Sequence, residues 1–186
     1  RSHYSDRTED LDFEFPFGYK ELFGLAYRTD FDLKNHMENS GVDLEYRDPF
    51  TNEKFIPHVV EPTFGINRVL LVLLFNAYKE EKDRIVLKLS KEMAPYKAAV
   101  FPLVKNKDDI VNKAKEVYKM LVDAGISTAW DDRGNIGKRY YSQDEIGTPS
   151  CITIDYQTLE DNTVTIRDRD SMEQTRVKID EIMEHV

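Results

Sequence analysis

Apolar residues fall into short runs of strand length over the first ninety positions, feeding one long apolar stretch, and afterwards alternate between strand and helix periods. Residues 22–27 (LFGLAY) predict a strand, and Thr29 with Asp30 predict the start of a helix through FDLKNHMENS that Gly41 closes. Residues 44–47 and 55–60 flank DPFTNE, whose Asp-Pro start and Thr-Asn centre are turn chemistry, so a hairpin is expected. After Pro62 and Gly65, residues 66–78 are apolar on nearly every face and too long for a typical strand, which predicts a buried helix. The proline-bearing segment KEMAPYK (91–97) interrupts this pattern and places a domain boundary near Ser90. Beyond it, AAVFPLV (98–104) predicts a buried strand. Residues 108–124 set Ile110, Ala114, Val117 and Leu121 on one helical face before Gly125. STAWDD, CITIDY, TVTIRDRD and TRVKI predict further strands, with a short helix from Asp180. Strand, helix, strand and then more strands indicate an α/β domain with a mixed sheet.

Composition narrows the class. The 186 residues include 26 Lys or Arg and 35 Asp or Glu, for a net charge of −9, with 33% charged and 40% hydrophobic positions. That balance excludes disordered, collagenous and coiled-coil chains. Acidity argues against sequence-blind coating of nucleic acid, which rests on Lys and Arg neutralising phosphates, but leaves a local basic patch open. The longest apolar run, residues 69–75, is far short of the roughly 20 residues of a membrane-spanning helix. A lone cysteine, Cys151, and an N-terminus (Arg1, Ser2, His3, Tyr4) without an apolar core lead to an expected cytoplasmic location.

The chemistry concentrates in PHVVEPTFGINRVLLVLL (57–74). A strand delivers Glu61 at its end, Pro62 and Gly65 shape a turn, and Arg68 projects from the first turn of the apolar helix. A carboxylate, the Thr63 hydroxyl and a guanidinium thus meet at one strand-to-helix corner, where the helix N-terminus adds partial positive charge suited to a phosphate. A structural ion pair between Glu61 and Arg68 is the plainer alternative.

This stretch resembles the third signature motif of the class II aminoacyl-tRNA synthetases, and more narrowly that of the homodimeric glycyl-tRNA synthetases. HYSDRTEDLDFEFPFGYKELFGLAYRTDFDLKNH upstream, and APYKAAVFPL, IGKRYYSQDEIGTPSCITIDY and TVTIRDRDSMEQTRV downstream, follow in that family's order. The resemblance implies the end of a class II antiparallel catalytic sheet over residues 1–90 and an α/β anticodon-binding domain with a mixed sheet over 91–186. It implies ATP-dependent activation of glycine, transfer to tRNA(Gly), Mg²⁺ as the companion of ATP, and a homodimer in the full-length enzyme. By the same resemblance Arg68 is the catalytic arginine gripping the ATP γ-phosphate, while Gly65, Ile66 and Asn67 line the nucleotide. Glu61, Thr63 and Glu21 face glycine, and Glu21 with Leu22 borders the adenine or ribose. The family usually has serine where Thr63 stands, so an added methyl crowds that pocket. The family's first and second motifs have no match here, so the chain is expected to be the C-terminal part and inactive alone. A non-catalytic nucleic-acid-binding module, like the polymerase accessory subunit that shares these folds, is the alternative. Glu21, Glu61 and Arg68 disfavour it, because such a module needs no amino-acid pocket. A partner that completes another polypeptide is a further reading.

In the second domain Lys138, Arg139, Arg167 and Arg169 offer contacts to tRNA, although alternating Arg and Asp on TIRDRD also suits a salt-bridged strand face. Trp130 and Tyr141 are candidates for base stacking or for the core. His3, His36, His58 and His185 share no ligand spacing with Cys151, DDRGN lacks the run of a calcium loop, and Cys151 opens an apolar strand, so no metal site and no nucleophilic thiol are expected.

Overall fold

A computed structural model describes residues 5–186, so His3 and the rest of the N-terminal tetrapeptide lie outside the described residues. The chain divides into two compact units, one ending at Val72 and the other Leu73–Val186.

In the first unit, β1 (Arg7–Phe15), β2 (Gly18–Thr29), α1 (Phe31–Ser40), β3 (Tyr46–Arg47), β4 (Lys54–Phe55) and β5 (Val59–Phe64) lead into α2 (Ile66–Ala77). The sheet β1-β2-β5 is antiparallel throughout. The expected strand 22–27 is the middle of β2. The expected hairpin is shorter than the pattern suggested: β3 and β4 pair over two residues each, and Val59 and Val60 instead open β5 on the central strand. Gly41 closes α1 in the left-handed region (φ 71°) with its N–H on the Met37 carbonyl, whereas Asp30 makes no side-chain cap and pairs with Lys34 at 2.6 Å. The long apolar helix forms as α2, but it is not buried. Only Ala77 is covered, and Ile66, Leu70, Leu74 and Phe75 are exposed. Apolar residues on every face signal a demand for burial that the described residues do not meet.

In the second unit β6 (Tyr78–Glu80) and β7 (Ile85–Leu87) form a hairpin, followed by β8 (Ala98–Pro102), α3 (Asp108–Asp123), β9 (Thr128–Trp130), α4 (Ile136–Ile146), β10 (Ser150–Ile154), α5 (Tyr156–Asp161), β11 (Thr163–Asp168), β12 (Gln174–Lys178) and a 3₁₀ turn at Ile179–Glu184. The sheet order is β12-β11-β10-β8-β9, with β8 parallel to β9 and β10 and β11 antiparallel to both its neighbours, which is the mixed sheet expected. Its central strands β8 and β10 are buried at every position because both faces are covered, and they are apolar except at Ser150 and Thr153. Ala98, Val100, Ile152 and Ile154 pack against Ile110, Ala114, Val117 and Leu121 of α3, while Ala99, Phe101 and Cys151 meet Ile136 and Tyr140 of α4.

The β6–β7 hairpin is fastened to this unit by Arg84, which donates to Asp144 of α4 at 2.8 Å and to the Arg169 carbonyl at 2.7 Å. Gly147, in the left-handed region (φ 84°), lets the Leu87 carbonyl come so close that a Cβ there would lie 2.8 Å from it.

Candidate functional site

The first unit carries a cleft of about 600 Å³ on one face of its sheet. Strand register explains it. Asp10, Gly24 and Thr63 stand in one row across β1, β2 and β5, and Thr8, Ala26 and Glu61 in the next. Gly24 and Ala26 therefore leave a hollow at the centre of each row, walled by polar side chains from the outer strands. A Cβ on Gly24 would lie 3.2 Å from Glu21 Oε1, 3.5 Å from Asp10 Oδ1 and 3.8 Å from Thr63 Cβ, so these three side chains converge on one small space.

Glu21 reaches that face through a β-bulge. Leu11 pairs with Phe23 but Asp12 pairs with Glu21, leaving Leu22 as the extra residue. The inserted residue shifts the alternation and turns Glu21 to the side of Gly24. The same bulge anchors the β5–α2 corner. The Leu22 carbonyl accepts the Gly65 N–H at 3.0 Å, an approach so close that a Cβ on Gly65 would sit 3.1 Å from that oxygen. Arg68 donates from the first turn of α2 to the Glu21 carbonyl. Glu21, Glu61 and Thr63 thus line the cleft, whereas Leu22, Gly65 and Arg68 form the corner beside it, with Ile66 and Asn67 exposed next to them.

Glu61 and Arg68 do not pair. Glu61 Oε2 instead accepts from Arg28, the extra residue of a second bulge between Tyr27 and Thr29. Arg28 also grips Asp32, in the first turn of α1, with Nε and with Nη2, the latter at 2.7 Å. Its hydrogen bond to Arg28 holds the Asp32 carboxyl below the usual carboxylate range. The cleft is lined by four carboxylates, Asp6, Asp10, Glu21 and Glu61, and by one guanidinium, Arg7. Such a lining suits a small cation. Asp10, Gly24, Arg28 and Asp32 were not singled out by sequence reasoning. The Arg-x-x-x-Asp spacing at 28–32 is the one local signal for any of them, because the rest depends on register between strands.

In the second unit three of the four candidate RNA contacts face inward. Arg139 donates to the carbonyls of Pro102 (2.6 Å), Arg133 (2.9 Å), Gly134 (3.0 Å) and Asp132 (3.3 Å). Arg167 forms a two-pronged pair with Asp144 at 2.9 and 3.0 Å and lies 4.9 Å from the Tyr140 ring centre. Arg169 is held by the Gly147 carbonyl at 2.8 Å and by Asp170. These guanidiniums are buried and occupied, so on this geometry they hold the domain together. Lys138 is exposed at the start of α4, whose N-cap is the Asn135 side chain, and Arg133 is exposed on the preceding loop. Trp130 packs on the core, edge-on to Tyr118 at 5.9 Å, while Tyr141 is partly open to solvent.

No three His, Cys, Asp or Glu side chains among the described residues form a metal-binding group. Cys151 is buried, and burial pushes its thiol up to about 12, so it is not a thiolate at neutral pH. No helix among the described residues is long and apolar enough to cross a membrane.

The anticodon binding domain family matches residues 97–186. Over nearly its whole length the chain is similar to proteins named glycine-tRNA ligase. It is 55% identical to that of Alkaliphilus metalliredigens (97% of this chain, 39% of the relative), and 54% identical to that of Clostridium tetani (98% and 40%). Identity to that of Mycoplasmopsis synoviae is 50% (98% and 41%). The chain therefore spans about two fifths of the length of the curated relatives it matches. Among solved structures, prolyl-tRNA synthetase from Cryptosporidium parvum, complexed with L-proline and AMP, superposes with a TM-score of 0.69 at 19% identity, over 100% of this chain and 38% of that one. That likeness concerns the fold.

Proposed function

We propose that the chain is part of a glycine-tRNA ligase, in which residues 1–90 form part of the site that activates glycine while residues 91–186, of which 97–186 match the anticodon binding domain family, engage tRNA(Gly). The observation that carries this reading is the convergence of Glu21, Glu61 and Thr63 on a cleft floored by Gly24 and Ala26. The carboxylates receive the ammonium of glycine. The small floor and crowded rim reject side chains sterically, which is the tool available to a site whose substrate offers no side chain to bind. The Thr63 methyl, where the family usually has serine, narrows that space further.

In the reaction so assigned, the glycine carboxylate attacks the α-phosphorus of ATP and pyrophosphate leaves. The terminal hydroxyl of the tRNA then displaces AMP from the glycyl-adenylate. Catalysis of this kind rests on alignment and on neutralising charge that develops on phosphate oxygens. Arg68, oriented by the Glu21 carbonyl beside the cleft, is the residue proposed to meet the triphosphate, with Gly65, Ile66 and Asn67 along the nucleotide and Leu22 near its sugar or base. Mg²⁺ would come with the ATP phosphates. The described residues gather no ligand set for it.

The polypeptide that completes this site belongs to the remaining three fifths of the relatives' length, and the same applies to the proposed homodimer interface. For tRNA, exposed Lys138 and Arg133 at the β9–α4 corner are the proposed phosphate contacts, with Arg139 bracing the loop between them. That corner lies at the carboxyl ends of β8 and β9, the edge where α/β sheets receive ligands. A cytoplasmic site of action accords with a role in protein synthesis.

The test is glycine-dependent ATP–pyrophosphate exchange by a full-length ligase carrying this sequence. Arg68→Ala is expected to lower the exchange rate on the order of 100-fold. An unchanged rate removes Arg68 from the triphosphate.

A further inference from the structure

We propose that Asp32, Arg28 and Glu61 form a charge triad in which Asp32 sets the direction of the Glu61 carboxylate and the net charge of the cluster around it, making Asp32 and Arg28 positioning residues for the ammonium group of the substrate. The inference rests on the reading of the cleft given above and deepens it.

Three separate elements supply the triad. Glu61 stands opposite Ala26 on β5. Arg28 lies two residues further along β2, so it reaches Glu61 along the diagonal of the sheet, as long side chains on neighbouring strands do. Asp32 belongs to the first turn of α1, four residues after Arg28. Arg28 bridges the two carboxylates. Nε and Nη2 hold both oxygens of Asp32, and Nη1 reaches Glu61 through Oε2. Among the described residues Glu61 Oε1 makes no hydrogen bond, and Glu61 lines the cleft.

Two consequences follow from that bridge. Geometrically, a guanidinium committed to Asp32 holds Glu61 by one oxygen and leaves the other for a ligand. Loss of Asp32 would let the guanidinium turn two parallel donors to the oxygens of Glu61, the arrangement such a pair favours. Electrostatically, Asp32, Arg28 and Glu61 sum to one negative charge, whereas an Arg28–Glu61 pair alone sums to none. A neutral pair attracts an ammonium group weakly, because the guanidinium repels what the carboxylate draws. The triad therefore keeps Glu61 oriented and the cluster around it net negative. Part of Glu61 is open to solvent, its side chain being 44% exposed, which keeps the expected effect moderate.

The experiment measures pyrophosphate exchange in a full-length ligase carrying this sequence, with glycine and ATP varied separately, for wild type, Asp32→Asn, Glu61→Gln and the double variant. Asp32→Asn is expected to raise KM for glycine roughly two- to fivefold, with kcat and KM for ATP unchanged. In the Glu61→Gln background the same substitution is expected to have no effect, since its target carboxylate is gone. Asp32→Glu, which restores the charge, should recover most of the glycine affinity. A flat glycine KM in Asp32→Asn, or a rise that persists in the Glu61→Gln background, overturns the triad. If Asp32→Asn does not fold, Arg28→Lys carries the test, because a single ammonium cannot bridge both carboxylates as the planar fork does. Its glycine KM should rise in wild type and not in Glu61→Gln. Absence of glycine-dependent exchange in the wild type would instead sink the underlying assignment of the cleft.

Discussion

At the scale of single residues, the cleft is defined as much by what Gly24 lacks as by the carboxylates around it. Its φ lies outside the left-handed region, so alanine there strains no backbone, and the added methyl would enter the space between Glu21, Asp10 and Thr63. Gly24→Ala is thus a clean probe of steric selection. It is expected to raise KM for glycine roughly tenfold or more while leaving KM for ATP and the thermal midpoint near wild type, since a methyl in a fitted pocket is worth about 1–3 kcal/mol. Equal losses for glycine and ATP would show that the methyl disturbs the sheet and not the pocket. Glu61 and Thr63 were legible in the sequence because a strand, a proline and a glycine bracket them. Gly24 and Asp10 were not, since what makes them line the cleft is their alignment with Thr63 across three strands. Glu61 also shows a limit of motif reading. Its charge partner is Arg28 rather than nearby Arg68, and the bulge that carries Arg28 leaves no mark in LFGLAY.

Among elements, helix α3 with its plain apolar stripe was legible, whereas helix α4 with its polar buried face was not. The stripe Ile110, Ala114, Val117 and Leu121 is buried as its spacing predicts. Helix α4 escaped because its inward face carries Arg139, Gln143 and Asp144, which hydropathy reads as surface. Asp144 is fully buried between Arg84 and Arg167, so its environment depends on residues 60 and 23 positions away. Strand β1 was missed although Leu11, Phe13 and Phe15 alternate with acidic residues. The short α5 is held mainly by its cap. There Asp155 accepts from the Thr158 N–H at 3.0 Å and takes two hydrogen bonds of 2.8 Å from Arg176 on β12. Chiefly through Arg176, its carboxyl is lowered from 3.8 to about 2. A carboxylate lowered in this way contributes stability that is complete above its ordinary value and disappears as pH falls through the folded one. The contribution of the pair, on the order of 1 kcal/mol after allowing for partial solvent contact, should therefore be constant at neutral pH and vanish between about pH 4 and pH 2. Denaturant titrations of wild type and Asp155→Asn across that range measure it, and a stability gap that does not narrow on acidification would rule out this origin.

For the molecule as a whole, the two units differ in how far they can sustain themselves. Leu73–Val186 has a sheet covered on both faces, with Phe101, Ile110, Leu121, Ile152, Ile154 and Ile182 among its fully buried side chains. In the first unit Phe15 and Ala26 are the only buried apolar residues among those described, and large side chains such as Leu25, Phe64 and Leu70 stand exposed. Apolar burial is the main favourable term in folding, and among the described residues it is concentrated in the second unit, so the second unit can hold its fold alone and the first depends on further polypeptide. Residues 73–186 alone should thus unfold in one cooperative transition at nearly the midpoint the same residues show in the longer chain. Residues 1–72 alone should show no cooperative transition and should bind a hydrophobic dye. The hairpin matters to the first outcome, because Arg84 joins β6–β7 to α4 and to the backbone of Arg169. A fragment beginning at residue 91, where the sequence pattern alone would cut, leaves Asp144 short of one of its two arginines. That shorter fragment is expected to be less stable than 73–186, since removing one partner from a buried ion network leaves desolvated charge behind. Calorimetry on the three fragments decides the matter. Cooperative unfolding of 1–72, or equal midpoints for 73–186 and 91–186, would show that the hairpin and the missing cover carry none of the stability assigned to them.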